Sequence, residues 1–308
     1  MIRCVALALW WLWVSNSVLA GVQEITLKHD NLVRTAFVYA PENLPDAAAL
    51  VIVMHGYGSS AERIMAYAGF NELAQQYGYI VAYPQGTLDK QENAFFQVGY
   101  EFHKESQVDD VAFIRDLVRH LVARYPIDVQ QVFASGMSNG GDMSYLLGCE
   151  AADIFRAVAP VAGTMMLSTE QDCRPSQALS VLAISGTADN ITLYSGDLAN
   201  VDGWGAYLGV EEVINGWATR EGLERAKHEL RSFRYDDPID IVTYASPNSA
   251  QQVVLYRVQG GGHDWPGARF SWWDLRRVVG RFTMGFGKHS EFDATEEIVG
   301  FFSGFRQP

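Results

Sequence analysis

Two strand-like stretches, Val22 to Leu27 and Leu32 to Tyr39, flank the turn-prone tripeptide His29-Asp30-Asn31 and predict an opening antiparallel hairpin. From there the pattern changes. Ala49 to Met54 is a continuous apolar run, the mark of a strand buried on both faces, and Ala61 to Tyr77 has helical spacing before the short strand Tyr79 to Tyr83. Asp109 to Arg124 reads as an amphipathic helix with Asp109 or Asp110 as its N-cap, followed by a strand over Gln131 to Ser135. Apolar segments recur at Ala157 to Val161, Val181 to Ser185 and Val253 to Val258, and Ala294 to Phe302 predicts a closing helix. Strands alternating with helices predict an α/β protein whose mostly parallel sheet carries helices on both faces. With no internal repeat, low-complexity tract or Pro/Gly/Ser linker, the expectation is one domain over residues 21–308.

Residues 1–20 are expected to stand apart as a signal peptide. Arg3 gives a positive start, Cys4 to Val14 is an apolar run shorter than a bilayer span, and Val18-Leu19-Ala20 supplies small residues before Gly21. Among 308 residues, 36 acidic side chains outweigh 23 basic ones, so the average field repels a polyanion and nucleic acid is excluded as a partner. Once the leader is removed, no membrane partner is expected either, and the oligomeric state is left open. Cleavage would also remove Cys4. Cys149 and Cys173 would then form an even set in an oxidising compartment, where a disulfide is expected, with two buried thiols as the alternative.

The candidate chemistry begins at Gly136-Met137-Ser138-Asn139-Gly140, which fits G-x-S-x-G directly after a predicted strand and before the helical run Gly141 to Leu147. In α/β-hydrolases such a turn holds a nucleophilic serine, here Ser138, with free helix amides nearby. A serine hydroxyl needs a base within reach and a carboxylate to orient that base. Three histidines follow Ser138: His228 in a charged stretch read as helical, His289 beside Lys288, and His263 in the loop Gly260-Gly261-Gly262-His263 after a predicted strand. His263 is the expected base. Asp189, just beyond the strand Val181 to Ile184, is the expected acid; Asp197, Asp202 and Asp236 are rivals without that placement. The oxyanion donors are expected to be the backbone amides of Asn139 and of Tyr57, the latter in His55-Gly56-Tyr57-Gly58 after the early buried strand. His55 itself reads as structural. The chemistry requires no cofactor, and no His, Cys or carboxylate cluster has metal-ligand spacing, so no catalytic metal is expected.

These segments together resemble the polyhydroxybutyrate depolymerase and feruloyl/acetylxylan esterase group, within the first carbohydrate esterase family. The matching stretches are His55-Gly56-Tyr57-Gly58, Tyr83-Pro84-Gln85-Gly86-Thr87, Val108 to Ile114, Gly136 to Gly141, Gly186-Thr187-Ala188-Asp189 and Gly261-Gly262-His263-Asp264-Trp265-Pro266-Gly267. The resemblance implies the α/β-hydrolase fold, serine esterase activity and the same triad, Ser138, Asp189 and His263. Two departures stand out. Where relatives often carry a second cysteine pair this chain has Leu223 and Pro247, and where they show a Trp-Asn pair it reads Asn93-Ala94-Phe95-Phe96.

Three functions are weighed on that basis. An esterase for feruloyl or acetyl groups of plant polysaccharide is the first, with Tyr57, Phe95, Phe96 and Trp265 as aromatic candidates to meet a phenolic or sugar ring, and Trp265 as the expected substrate contact. A hydrolase of poly(3-hydroxybutyrate) or its oligomers is the second, with short or soluble substrates favoured. A non-catalytic binding protein of the same fold is the third, and would be expected to lack a triad member. The segment Trp265 to Phe286 joins Trp272 and Trp273 with Arg269, Arg276, Arg277 and Arg281, and is expected either to rim the site or to form a surface helix with its tryptophans packed inward.

Overall fold

The computed structural model describes residues 21–268 and 291–305. The expected leader over 1–20, His289 and the Trp/Arg segment from Arg269 to Phe286 lie outside the described residues.

The opening hairpin forms as predicted. Strands β1 (Val22–His29) and β2 (Leu32–Tyr39) pair antiparallel, and the two residues between them, Asp30 and Asn31, both take positive φ, as the two-residue turn of a right-twisted hairpin demands. The continuous apolar runs become the centre of a ten-stranded sheet: β3 (Ala48–Met54), β4 (Tyr79–Pro84), β7 (Ile127–Met137), β8 (Ala157–Val161), β9 (Ser180–Gly186) and β12 (Gln252–Val258) are parallel neighbours. Every residue of β3, β4, β8 and β9 is buried. Between β4 and β7 a two-stranded ribbon, β5 (Thr87–Leu88) with β6 (Ala94–Phe95), stands off the main sheet.

The predicted helix over Ala61 to Tyr77 is two helices, α1 (Ala61–Ala68) and α2 (Phe70–Tyr77), because Gly69 sits in the left-handed region and stops the first. Ser60 caps α1 by accepting from the Arg63 amide. Helix α3 (Asp110–Val122) takes Asp109 as its N-cap, α4 (Asn139–Glu150) follows β7, and the short α5 (Leu167–Asp172) follows β8. Helix α6 (Val210–Arg220) precedes two strands that the pattern did not announce, β10 (Glu224–Arg231) and β11 (Ile239–Ala245), which add antiparallel to β12. His228 therefore lies on a strand and not in a helix; its ring pairs with Asp240 across the β10/β11 ladder. Helix α7 (Ala294–Ser303) closes the described chain.

The sheet separates two cores, one with α3, α4 and α6 and one with α1, α2 and α7. Cys149, at the end of α4, and Cys173, just after α5, form a disulfide. It ties α4 to the segment that follows α5. No helix among the described residues is long and apolar enough to cross a membrane.

Candidate active site

Because β7, β8, β9 and β12 run in one direction, their C-terminal ends share one edge of the sheet. Ser138 follows β7, Asp189 follows β9 and His263 follows β12, so the topology gathers residues far apart in sequence at the edge where α/β sheets bind ligands.

Ser138 is held at φ 56° and ψ −121°, a backbone conformation costly for a residue with a Cβ. The turn is fixed by close backbone packing. A Cβ on Gly136 would stand 2.4 Å from the Gly140 carbonyl oxygen, and one on Gly140 would stand 2.2 Å from that of Met54. The Ser138 amide donates to the Val161 carbonyl at 2.9 Å, which anchors the turn on β8. This places Ser138 directly ahead of α4, whose first-turn amides have no partner one turn earlier and carry the positive end of the helix dipole.

Asp189 and His263 meet as the sequence predicts. His263 Nδ1 lies 2.8 Å from Asp189 Oδ2, with both residues buried. A carboxylate can only accept, so Nδ1 carries the proton and Nε2 is left as the basic nitrogen. Asp189 is held in turn, its Oδ1 accepting from the amides of Ile191 and Thr192 at 2.8 and 2.9 Å. Their two loops are stitched together. Ala188 N donates to the Gly261 carbonyl at 2.8 Å, Gly260 N donates to Thr187 Oγ1 at 2.9 Å, and a Cβ on Gly186 would stand 2.3 Å from the Gly261 oxygen. The rival Asp197 instead accepts from the Asp202 amide and steadies its own loop.

The loop His55 to Gly58 passes over Ser138: a Cβ on Gly56 would lie 3.3 Å from Ser138 Cβ. His55 has the structural position expected of it. It is buried, its Nδ1 donates to the Gly56 carbonyl at 2.8 Å and its Nε2 accepts from the Gly86 amide at 3.0 Å. Burial pushes it down to about 4, so the ring is neutral, as those two bonds require. The Tyr57 ring is fixed by its hydroxyl, which donates to Asp89 Oδ2 at 2.5 Å and accepts from Asn93 Nδ2 at 2.9 Å. Asn139 is fully buried and clamps Phe96 from both sides, Oδ1 accepting from its amide at 2.7 Å and Nδ2 donating to its carbonyl at 2.9 Å. Neither the Tyr57 nor the Asn139 amide donates to a backbone carbonyl among the described residues outside helix and strand ladders.

Beside Ser138 opens a small recess, lined among others by Tyr100, Asp142, Met166, Trp204 and Tyr207. Asp142 went unremarked in the sequence. The signal was there: a carboxylate one helical turn after the serine, in a helix otherwise buried on nearly every side. Its Oδ2 accepts from the Tyr100 hydroxyl at 2.6 Å and its Oδ1 from the Thr164 amide at 2.7 Å. Burial pushes it up to about 7, against the opposing pull of those bonds and of His263.

The structure corrects the reading of Trp265 as a substrate contact. Its ring is fully buried, its Nε1 donates to Thr295 Oγ1 at 2.9 Å, and it packs edge-on against Phe70 at 5.9 Å. Phe95 and Phe96 are buried as well, against His103 and His55. Tyr57 remains near the recess and is joined by Trp204, Tyr100 and Phe102, whose rings contact one another at 5.1 to 5.8 Å.

Comparison with known proteins supplies the family. A family described as Esterase PHB depolymerase matches residues 34–216. A putative esterase, NocK, of Nocardia uniformis subsp. tsuyamanensis is 31% identical over 239 residues, covering 74% of this chain and 68% of that protein. Feruloyl esterase B of Piromyces equi is 26% identical over 73% of this chain but 41% of its own length, and poly(3-hydroxyalkanoate) depolymerase C of Paucimonas lemoignei is 25% identical over 75% of this chain and 58% of its own. The chain thus spans well under two thirds of the latter two proteins. Among solved structures, an acetyl xylan esterase from Aspergillus awamori superposes with a TM-score of 0.60 at 16% identity, over 79% of this chain and 93% of that one. Esterase 2 of Thermogutta terrifontis gives 0.57 at 14% identity, over 94% and 96%. At these identities the superpositions establish the fold, and with the matched family they show that the chain belongs to the Esterase PHB depolymerase family and is an esterase of the α/β-hydrolase fold.

Proposed function

We propose that the chain hydrolyses carboxylic esters through an acyl-enzyme on Ser138, with His263 as base and Asp189 as the group that orients it. The observation that carries this reading is the buried His263 Nδ1–Asp189 Oδ2 hydrogen bond at the sheet edge where Ser138 sits in its strained turn. In the first half-reaction His263 Nε2 removes the Ser138 proton as Oγ attacks the ester carbonyl, and the amides of Asn139 and Tyr57 receive the developing oxyanion. His263 then returns the proton to the departing alcohol. Water, activated by the same nitrogen, releases the acid and restores Ser138. Every step uses groups of this chain, the ester and one water.

For the substrate, feruloyl or acetyl esters of plant polysaccharide are the first choice, supported by relatives named feruloyl esterase B and acetylxylan esterase. Hydroxyalkanoate oligomers are the second, supported by the relative named depolymerase C. Export is part of the proposal: a signal peptide over 1–20 would deliver residues 21–308 to an oxidising compartment, which suits the Cys149–Cys173 disulfide. The test is hydrolysis of methyl ferulate, acetylated xylan and hydroxybutyrate oligomers by the purified protein and by Ser138→Ala. The variant should lose on the order of 10⁶ in kcat, as removal of a triad serine does elsewhere. A variant as active as the parent would remove Ser138 from the mechanism.

A further inference from the structure

Asp142 is a buried carboxylate for which the acyl-enzyme chemistry has no use. It stands four residues after Ser138 on α4, a rise of about 6 Å along the helix, and both residues line the same recess. It is 6% exposed, and no Lys, Arg or His among the described residues forms an ion pair with it. A buried carboxylate without a cation is costly unless its acceptor sites are satisfied. Two of roughly four lone-pair positions are filled, by the Tyr100 hydroxyl and the Thr164 amide.

Asp142 is the one carboxylate among the lining residues, beside the hydroxyls of Ser138, Thr164, Thr192, Tyr100 and Tyr207. The Tyr100 proton is directed to Asp142, and the Thr164 hydroxyl donates to the Leu208 carbonyl at 2.8 Å. Met166, Ile191 and the Trp204 ring supply apolar wall. A substrate group that reaches the recess therefore meets hydrocarbon at the sides and a carboxylate within.

On the serine esterase reading above, we propose that Asp142 is a specificity residue: it selects esters that bear a hydrogen-bond donor, a hydroxyl or an ammonium, two or three bonds from the ester group, and disfavours esters with a carboxylate there. The upward push of burial on Asp142 supports this, since a donor arriving in the recess restores hydrogen bonding that burial has removed. The donor can enter on the acyl or the alcohol side, and two isomeric esters separate these routes.

The experiment measures kcat/KM at about pH 8.5, above the value of about 7 to which burial pushes Asp142 so that the carboxylate is ionised, for ethyl butyrate, ethyl 3-hydroxybutyrate, 2-hydroxyethyl butyrate and monoethyl succinate with the full chain and with Asp142→Met and Asp142→Asn. The parent should prefer one hydroxylated isomer over ethyl butyrate by about tenfold or more, the scale of a hydrogen bond to a charged group. The isomer preferred identifies the side that enters the recess. Monoethyl succinate should be the poorest substrate. Asp142→Met should bring the hydroxyl preference close to one, and Asp142→Asn should relieve the discrimination against succinate while keeping part of the hydroxyl preference. These ratios are internal to each preparation and do not depend on how much protein is folded. Should Asp142→Met fail to fold, the parent decides alone: hydroxylated and plain esters within about twofold of one another overturn the proposal. Equal rates with an inactive Ser138→Ala sink the role of Asp142 and leave the serine mechanism standing. No hydrolysis of any ester by the parent, or an active Ser138→Ala, removes the serine mechanism and this inference with it.

Discussion

The glycine-rich turn after β7 and the recess beside it share Ser138 yet are built in different ways. Gly136 to Gly141 is one short stretch whose shape is set by backbone atoms: carbonyls of Met54 and Gly140 stand where Cβ atoms would be, and one β7-to-α4 crossing fixes Ser138. The recess is assembled from Tyr100, Asp142, Thr164, Met166, Ile191, Trp204 and Tyr207, on separate segments that meet only in the folded chain. Rings, a thioether and a carboxylate line it. In this molecule the shape of the turn is encoded locally, whereas the recess, like the meeting of Asp189 with His263, is encoded by long-range packing.

The sharpest way to break that comparison is at Asp189. Asp189→Asn keeps the size and the acceptor for the Ile191 and Thr192 amides, but it lets the His263 ring settle with its proton on the wrong nitrogen. A loss of about 10⁴ in kcat is expected, by analogy with the same change in serine proteases, with all esters slowed alike. Steady-state kinetics on two esters of different acyl group will check it. A loss that depended on the acyl group would mean that the Asp189 loop, through Ile191 and Thr192, governs selection as well as chemistry.

This division explains what could be read in the sequence. β3, β8 and β9 were legible because strands buried on both faces are continuous apolar runs, and Ser138, Asp189 and His263 were singled out because each stands in a glycine-bearing turn or loop just after a predicted strand. β10 was not: from Glu224 to Arg231 nearly every residue is charged or exposed, and its strand conformation comes from pairing with β11. Trp265 misled because a glycine-rich loop suggests exposure, whereas a Thr295 hydroxyl thirty residues on receives its indole N–H inside the core. Asp142 lies next to the motif, but its significance depends on Tyr100 and Thr164, which no local pattern connects to it.

The two regions should also answer pH in opposite directions. His55, at the head of the loop that passes over Ser138, is pushed down to about 4 by burial, with the Gly56 bond and Glu62 opposing and Arg34 assisting. The unfolded chain binds this proton near pH 6.5, so His55 favours the fold above that pH, and the benefit is lost as pH falls toward 4. Asp142, faced by Tyr100, Tyr145, His263 and Asp189, is pushed up to about 7. The folded state keeps its proton where the unfolded chain has released it, so stability from this group falls as pH rises from about 4 to 7. Relative to the parent, Asp142→Asn should gain stability across that rise, and His55→Gln should gain as pH falls from 6.5 to 4. Each swing is at most on the order of 3 to 4 kcal/mol. Urea unfolding at a series of pH values measures both. Parallel trends for the two variants would show that these groups do not set the pH response of their regions.

The smallest effect, and the one that best separates selection from chemistry, is expected at Trp204. Its ring lines the recess, meets Tyr57 and Tyr100 edge-on at 5.7 and 5.1 Å, and is only partly buried, while its carbonyl accepts from the Glu101 amide at 2.9 Å. That backbone bond survives Trp204→Ala, so the loop keeps its anchor and only the wall is removed. Loss of one aromatic face should raise KM several-fold, in keeping with about 0.5–1.5 kcal/mol for a ring contact beyond its area, and should leave kcat within a small factor. The size of the rise should vary from one ester to another, because the wall meets the substituent and not the reacting carbonyl. A uniform collapse of kcat, like that expected for Asp189→Asn, would mean that the wall also holds Tyr57 and its amide in place, and that the two regions are one mechanical unit.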